Sequence, residues 1–185
     1  MKKGWLVLGI ALLLVGGAGF AAYNTLVQRQ EGTRESWAQV ENVLQRRYDL
    51  IPNLVSTVKG YAAHERGVLE EVTRLRSQWG EAKTVDEKVG AAQRLEGALG
   101  RLMVVIERYP DLKANQSFLA LQDELAGTEN RIAVERRRYN EAVRNYNVAV
   151  RGFPSNLVAR LTGFAPSTAY FEAAAGAAQA PKVEF

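Results

Sequence analysis

The chain opens on an unbroken apolar stretch, Gly4 to Ala22, and from Trp37 onward it spaces its hydrophobic residues at alternating steps of three and four. A run of about 19 residues is long enough to cross a hydrocarbon core of roughly 30 Å as an α-helix. Met1-Lys2-Lys3 precedes it, and Tyr23 follows where an interfacial ring would sit. The same stretch, ending in the small-residue site Gly19-Phe20-Ala21, also fits a cleavable leader, and both readings stay open. Its length and Tyr23 favour a retained single-pass anchor. Lys2 and Lys3 point to a cytoplasmic N-terminus and a body on the far side of the membrane. Arg29 and Arg34 reduce that bias.

The stride from Trp37 passes through Val40, Leu44, Arg47, Ile51, Leu54, Val58, Tyr61, Glu65, Val68, Val72, Leu75 and Trp79. All but Arg47 and Glu65 are apolar or aromatic, which predicts amphipathic helix with one buried stripe. Pro52 lies inside this pattern and removes a backbone donor, so a kink is expected near Tyr48 to Pro52, with Gly60 a second weak point. The periodicity alone leaves open one bent helix or two. Gly80 closes the stretch. Thr84-Val85-Asp86-Glu87 is a capping box for a second helix, whose stripe runs Val85, Val89, Ala92, Leu95, Leu99, Leu102, Ile106 and Tyr109. Pro110 to Lys113 forms a connection, and Asn115 is placed to cap a third helix. That helix strides Phe118, Leu121, Leu125, Thr128, Ile132, Glu135, Tyr139, Ala142, Tyr146, Ala149 and Phe153.

No segment alternates with period two, so the fold expected is all-α: an N-terminal transmembrane helix and an antiparallel bundle built from three long stretches. The corresponding organisation is an anchor over 1–22, a bundle over 23–153, a short helix with an aromatic segment over 154–172, and a low-complexity tail over 173–185. In the third part, Pro154-Ser155-Asn156 opens a helix through Leu157, Val158 and Leu161, stopped at Thr162-Gly163. Phe164, Tyr170 and Phe171 are too many rings to leave in water, and are expected to fold back over one end of the bundle.

Composition narrows the functions. Hydrophobic residues are 47% and charged residues 24% of the 185, as in a globular chain. The net charge is +4, of which Lys2 and Lys3 supply half; the remaining 22 Lys and Arg against 20 Asp and Glu leave the body near neutrality. That balance argues against a nucleic-acid partner. Without cysteine there is no disulfide, thiol nucleophile or thiolate metal site. His64, the one histidine, is expected on a helix surface. A di-iron bundle needs Glu-x-x-His on each of two helices, so no metal and no cofactor is expected. No Gly-x-Ser-x-Gly turn or phosphate-binding Gly-rich loop is present, so neither an enzyme nor a small-molecule substrate is expected. Arg136-Arg137-Arg138 fans around a helix and reads as a solvated face or a contact for lipid phosphates.

Three charges fall on stripe positions: Arg47, Glu65 and Glu135. An unpaired buried charge costs several kcal/mol, so Arg47 is expected to pair with one of the two glutamates, either fixing helix register or lining a polar groove.

Several segments together resemble the LemA family of bacterial membrane proteins. These are Tyr23 to Val27, Arg46 to Val55 (RRYDLIPNLV), Val58 to Glu65 (VKGYAAHE), Tyr109 to Asn115 (YPDLKAN), Gly127 to Val134 (GTENRIAV), Arg137 to Asn140 (RRYN) and Phe153 to Asn156 (FPSN). The motif positions carried by the likeness include Arg46, Asp49, Pro52, Asn53, His64, Asn130, Arg131, Tyr139 and Asn140. The resemblance implies a membrane helix followed by a four-helix antiparallel bundle, hence a real break in the first stripe, and it brings no catalytic residue. Leu75-Arg76 stands where an Ala-Arg pair is expected, and Glu135 where alanine is expected. The functional expectation is a membrane-anchored, non-catalytic interaction or scaffold protein in the inner membrane of the bacterial envelope, with lipid and a protein partner or its own copies around it. The alternative is an adaptor or regulatory subunit of a membrane protease or signalling complex.

Overall fold

A computed structural model describes residues 2–172, with side chains from residue 4; the expected tail over 173–185 lies outside the described residues. Six helices follow in order: α1 (Lys2–Tyr61), α2 (Arg66–Glu81), α3 (Val85–Ile106), α4 (Pro110–Lys113), α5 (Gln116–Arg151) and α6 (Ser155–Thr162). No strand occurs among the described residues. The all-α expectation holds. The described residues divide into two compact units, one of residues 2–40 with 137–168 and one of 41–136 with 169–172.

In the first unit the apolar stretch is the beginning of α1, and its large side chains from Trp5 to Val15, with Phe20, are exposed. It is the one described helix that is long and apolar enough to cross a membrane. Burial begins at Ala22 and Leu26. Leu26 shares a small core with Tyr146 and Val150 of α5 and Ala159 of α6. Further along, Trp37 meets Tyr139 edge-on at 5.4 Å between ring centroids. Advancing along α1 therefore means retreating along α5, so this pair is antiparallel. The α6 helix ends as the sequence predicts. Gly163 adopts φ 81°, a left-handed conformation that favours glycine, and the Phe164 amide bonds back to the Ala159 carbonyl at 3.0 Å.

The second unit assembles four helical segments: residues 41–61 of α1, then α2, α3 and the start of α5. The apolar stripes meet in a common core that includes Ile51, Leu54, Val72, Leu95, Leu102, Phe118 and Ile132. Both predicted caps are present. The Thr84 hydroxyl accepts from the Glu87 amide while the Glu87 carboxylate accepts from the Thr84 amide. The Asn115 side chain accepts from the Phe118 amide at 3.0 Å, opening α5. Pro110 begins the one-turn α4 rather than a bare connection, as proline suits a first helical position.

Three details refine the sequence reading. First, the stripe breaks at Ala62 to Glu65, just past the weak point at Gly60, and α1 runs through Pro52 to Tyr61. The carbonyl that Pro52 leaves without its helical donor is that of Tyr48, four residues back, and it accepts instead from Arg76 Nε of α2 at 3.0 Å. A neighbouring helix thus supplies the missing bond. Second, His64 lies in the exposed turn between α1 and α2 rather than on a helix surface. Third, the rings of the C-terminal segment make separate contacts. Phe164 packs on Tyr23 in the first unit, whereas Phe171 is buried against Arg136 in the second.

Candidate functional site

Adjacent residues Arg47 and Tyr48 of α1 are both buried, and they face different neighbours in the second unit. The Arg47 side chain, 11% exposed, is ion-paired with Glu129 of α5, whose side chain remains 40% exposed. Tyr48 packs edge-on against Trp79 of α2, with ring centroids 4.3 Å apart. From α5, Arg136 reaches Glu96 of α3 at 2.5 Å, and the Phe171 ring lies 4.8 Å from its guanidinium carbon. Lys88 of α3 is ion-paired with Glu41 of α1 and stands 5.5 Å from the Trp79 ring centroid. Charged and aromatic side chains from all four helical segments therefore line one seam.

Electrostatics fix what this seam can do. Burial pushes the Tyr48 phenol well above its ordinary range; Arg136 and Arg47 oppose the shift, while Glu96 and Glu129 add to it. The phenol stays protonated at any physiological pH and is no base. Four buried atoms, Tyr48 Oη, Trp79 Nε1, Arg47 Nε and Arg136 Nε, have no hydrogen-bond partner. Each such orphan costs on the order of 1–3 kcal/mol. The arrangement suits helix registration and selectivity between alternative packings more than proton transfer.

The seam differs from the sequence expectation in its members. Arg47 pairs with Glu129, not with Glu65 or Glu135. Glu65 precedes α2 and accepts instead from Arg108 at 2.8 Å and from the Tyr109 hydroxyl at 3.0 Å, which raises the Tyr109 pKa. Glu135 is half-buried. The charge pointing inward on that turn is Arg136, part of the run that by sequence alone reads as a solvated face or a contact for lipid phosphates. Sequence reasoning missed Glu129, Glu96, Arg76 and the inward role of Arg136. The signal available for Arg136 was a stripe whose phase drifts by one residue along a long helix.

Among the motif positions, Arg46 is exposed and makes a loose ion pair with Glu124 at 3.6 Å. Asp49 accepts from Gln45 at 2.7 Å on the surface. Pro52, Asn53, His64, Asn130 and Arg131 are exposed. Tyr139 is buried against Trp37 in the first unit, and Asn140 is half-buried there. These positions are spread over surface and core rather than converging on one pocket. A separate, open groove of about 800 Å³ between α2 and α3 is walled by Arg74, Arg94 and Arg101 together with Glu71, Glu81 and Glu87.

Comparison with known proteins gives a match to the LemA family over residues 36–185. Magnetosome protein MamQ 2 of Paramagnetospirillum magneticum is 30% identical, with 83% of this chain and 66% of that protein covered. Magnetosome protein MamQ of Magnetospirillum gryphiswaldense is 28% identical with the same coverage. Protein LemA of Metamycoplasma hominis is 26% identical, over 74% of this chain and 63% of its own length. The chain thus spans slightly under two thirds of the length of these curated relatives.

Proposed function

Since the chain belongs to the LemA family, we propose that it is a membrane-anchored, non-catalytic interaction or scaffold protein of the bacterial cell envelope. The observation that carries this reading is the start of α1. The apolar stretch from Gly4 to Ala21 stands largely exposed on a helix that runs on, without a break, into the residues packed against α5 and α6. In water such a surface would aggregate; in a bilayer it is an anchor. The anchor is a single pass of the inner membrane, with the N-terminus cytoplasmic and the body outside. The buried seam supports a non-catalytic role, because its charges are paired within the fold and its phenol is held neutral.

Crosslinking in intact membranes followed by mass spectrometry tests this. Links among copies of the chain, or to several envelope proteins, are the expected result. A dominant link to one large integral protein would favour the second reading, an adaptor or regulatory subunit of a membrane machine. The charged groove between α2 and α3 is the surface that favours that alternative. A defined substrate turned over by the purified chain, with the activity lost on His64→Ala, would overturn the non-catalytic assignment. Protease shaving of spheroplasts checks orientation: digestion of the body from outside is expected, and full protection reverses the topology.

A further inference from the structure

We propose that the outward face of α6 and the turn ahead of it, carrying Phe153, Leu157 and Leu161, lies in the headgroup–acyl boundary of the bilayer that holds the apolar stretch. The proposal rests on the anchor reading above and adds a second point of lipid contact. These three side chains are 84%, 53% and 87% exposed, whereas α6 turns Ala159 inward. Leu157 and Leu161 are one helical turn apart and share a face; Phe153 stands in the turn that leads into it. Three large apolar groups in water on one short element need a cover.

Position says what the cover is. The middle of α6 and the segment after it are held at the level where the apolar stretch gives way to packed helix. Ala159 shares a core with Leu26 and with Val150 at the end of α5, and Val158 packs against that cluster. Beyond α6, Phe164 meets the Tyr23 ring edge-on at 5.9 Å. The last residue of the apolar stretch, Ala22, is already buried. The inward side of α6 is therefore fastened about one turn from residue 22, where an anchor crossing roughly 30 Å of hydrocarbon would emerge, and its outward face stands at that level. Charge agrees. From Arg151 to Phe171 the chain contains no Asp or Glu, and its two charges are the exposed Arg151 and Arg160. Apolar groups flanked by arginine without acid match an anionic lipid surface. A second copy of the chain fits less well, because three side chains fall short of the roughly 800 Å² per partner that a stable protein interface buries.

The natural lack of cysteine makes the test clean. Single spin labels are placed on the full chain by Leu161→Cys, Leu13→Cys and Ser77→Cys. The variants are reconstituted in vesicles of phosphatidylcholine and phosphatidylglycerol at roughly three to one. Relaxation by oxygen, which partitions into lipid, is compared with relaxation by a water-soluble nickel chelate. The expected result is that the label at 161 loses nickel accessibility as the label at 13 does, while the label at 77 keeps it. Nickel accessibility at 161 equal to that at 77, with 13 protected, overturns this inference and leaves the anchor standing. Nickel reaching residue 13 overturns both. Protection of 161 from both relaxants, with dipolar broadening between labels, assigns the face to a second copy and also overturns the inference.

Discussion

Replacing Arg76 with methionine isolates the bond that lets α1 run through a proline. The Tyr48 carbonyl has lost its helical donor to Pro52 and is served by the Arg76 guanidinium at 3.0 Å. Methionine keeps much of the apolar stem and removes the donor. A hydrogen bond from a charged donor contributes about 1.5–3 kcal/mol, so Arg76→Met is expected to cost about 2 kcal/mol. Pro52→Ala restores a backbone donor aimed at the same carbonyl and relieves part of the ~3 kcal/mol penalty of an interior proline. In that background Arg76→Met is expected to cost under about 1 kcal/mol, which leaves a coupling of about 1–2 kcal/mol between the two positions. The assay is urea unfolding of the full chain in detergent micelles, followed by far-ultraviolet circular dichroism, with midpoint and slope fitted for all four members of the cycle. If Arg76→Met costs the same with and without Pro52, the arginine is not serving the orphaned carbonyl and the account of the unbroken helix is wrong.

The remaining predictions concern the seam and one cap. Glu129→Ala is expected to destabilise more than Arg47→Met in the same unfolding assay, by about 1–3 kcal/mol, because it strands a buried guanidinium whereas the half-exposed carboxylate can rehydrate; equal costs would refute this asymmetry. Tyr48→Phe removes a buried hydroxyl that has no partner, so stability is expected to stay level or rise by about 1 kcal/mol, and a clear loss would mean that the hydroxyl is bonded after all. Backbone amides of Lys83 and Thr84 hold the Glu87 carboxyl below its ordinary range, so its stabilisation is complete above the ordinary glutamate range and is lost as pH falls through the lower folded value. The difference in melting temperature between the natural chain and Glu87→Gln is therefore expected to close on acidification from about pH 7 to about pH 3, and a difference independent of pH would remove the capping role.

The sequence showed the helices and their ends more clearly than the contacts between them. Stripe periodicity, the Thr84–Glu87 box, the Asn115 cap and the Gly163 stop are local signals, and each stands in the structure as read. The break at Ala62 to Glu65 was hidden because the stripe resumes in nearly the same phase beyond the turn, at Leu69, Val72 and Leu75. At Pro52 the local sequence carries no sign that another helix serves the Tyr48 carbonyl, because Arg76 is 28 positions away from it. The seam's partners were illegible because a pair such as Arg47 and Glu129 is set by antiparallel register, which one helix's spacing does not contain. Glu129 also looks like a surface residue, being half-exposed while it neutralises a buried neighbour.

The clasp of α6 and Phe164 around residues 22–26 has a mechanical consequence. A domain hung from a membrane by a supple tether swivels freely and meets its neighbours at every azimuth. Here residues 4–40 are one helix with a collar fastened where the apolar stretch ends, so turning or leaning of that stretch carries the collar with it. With that stretch in a bilayer, as proposed, each face of the collar keeps one fixed bearing to one side of the buried helix, much as a keel keeps its line to a hull.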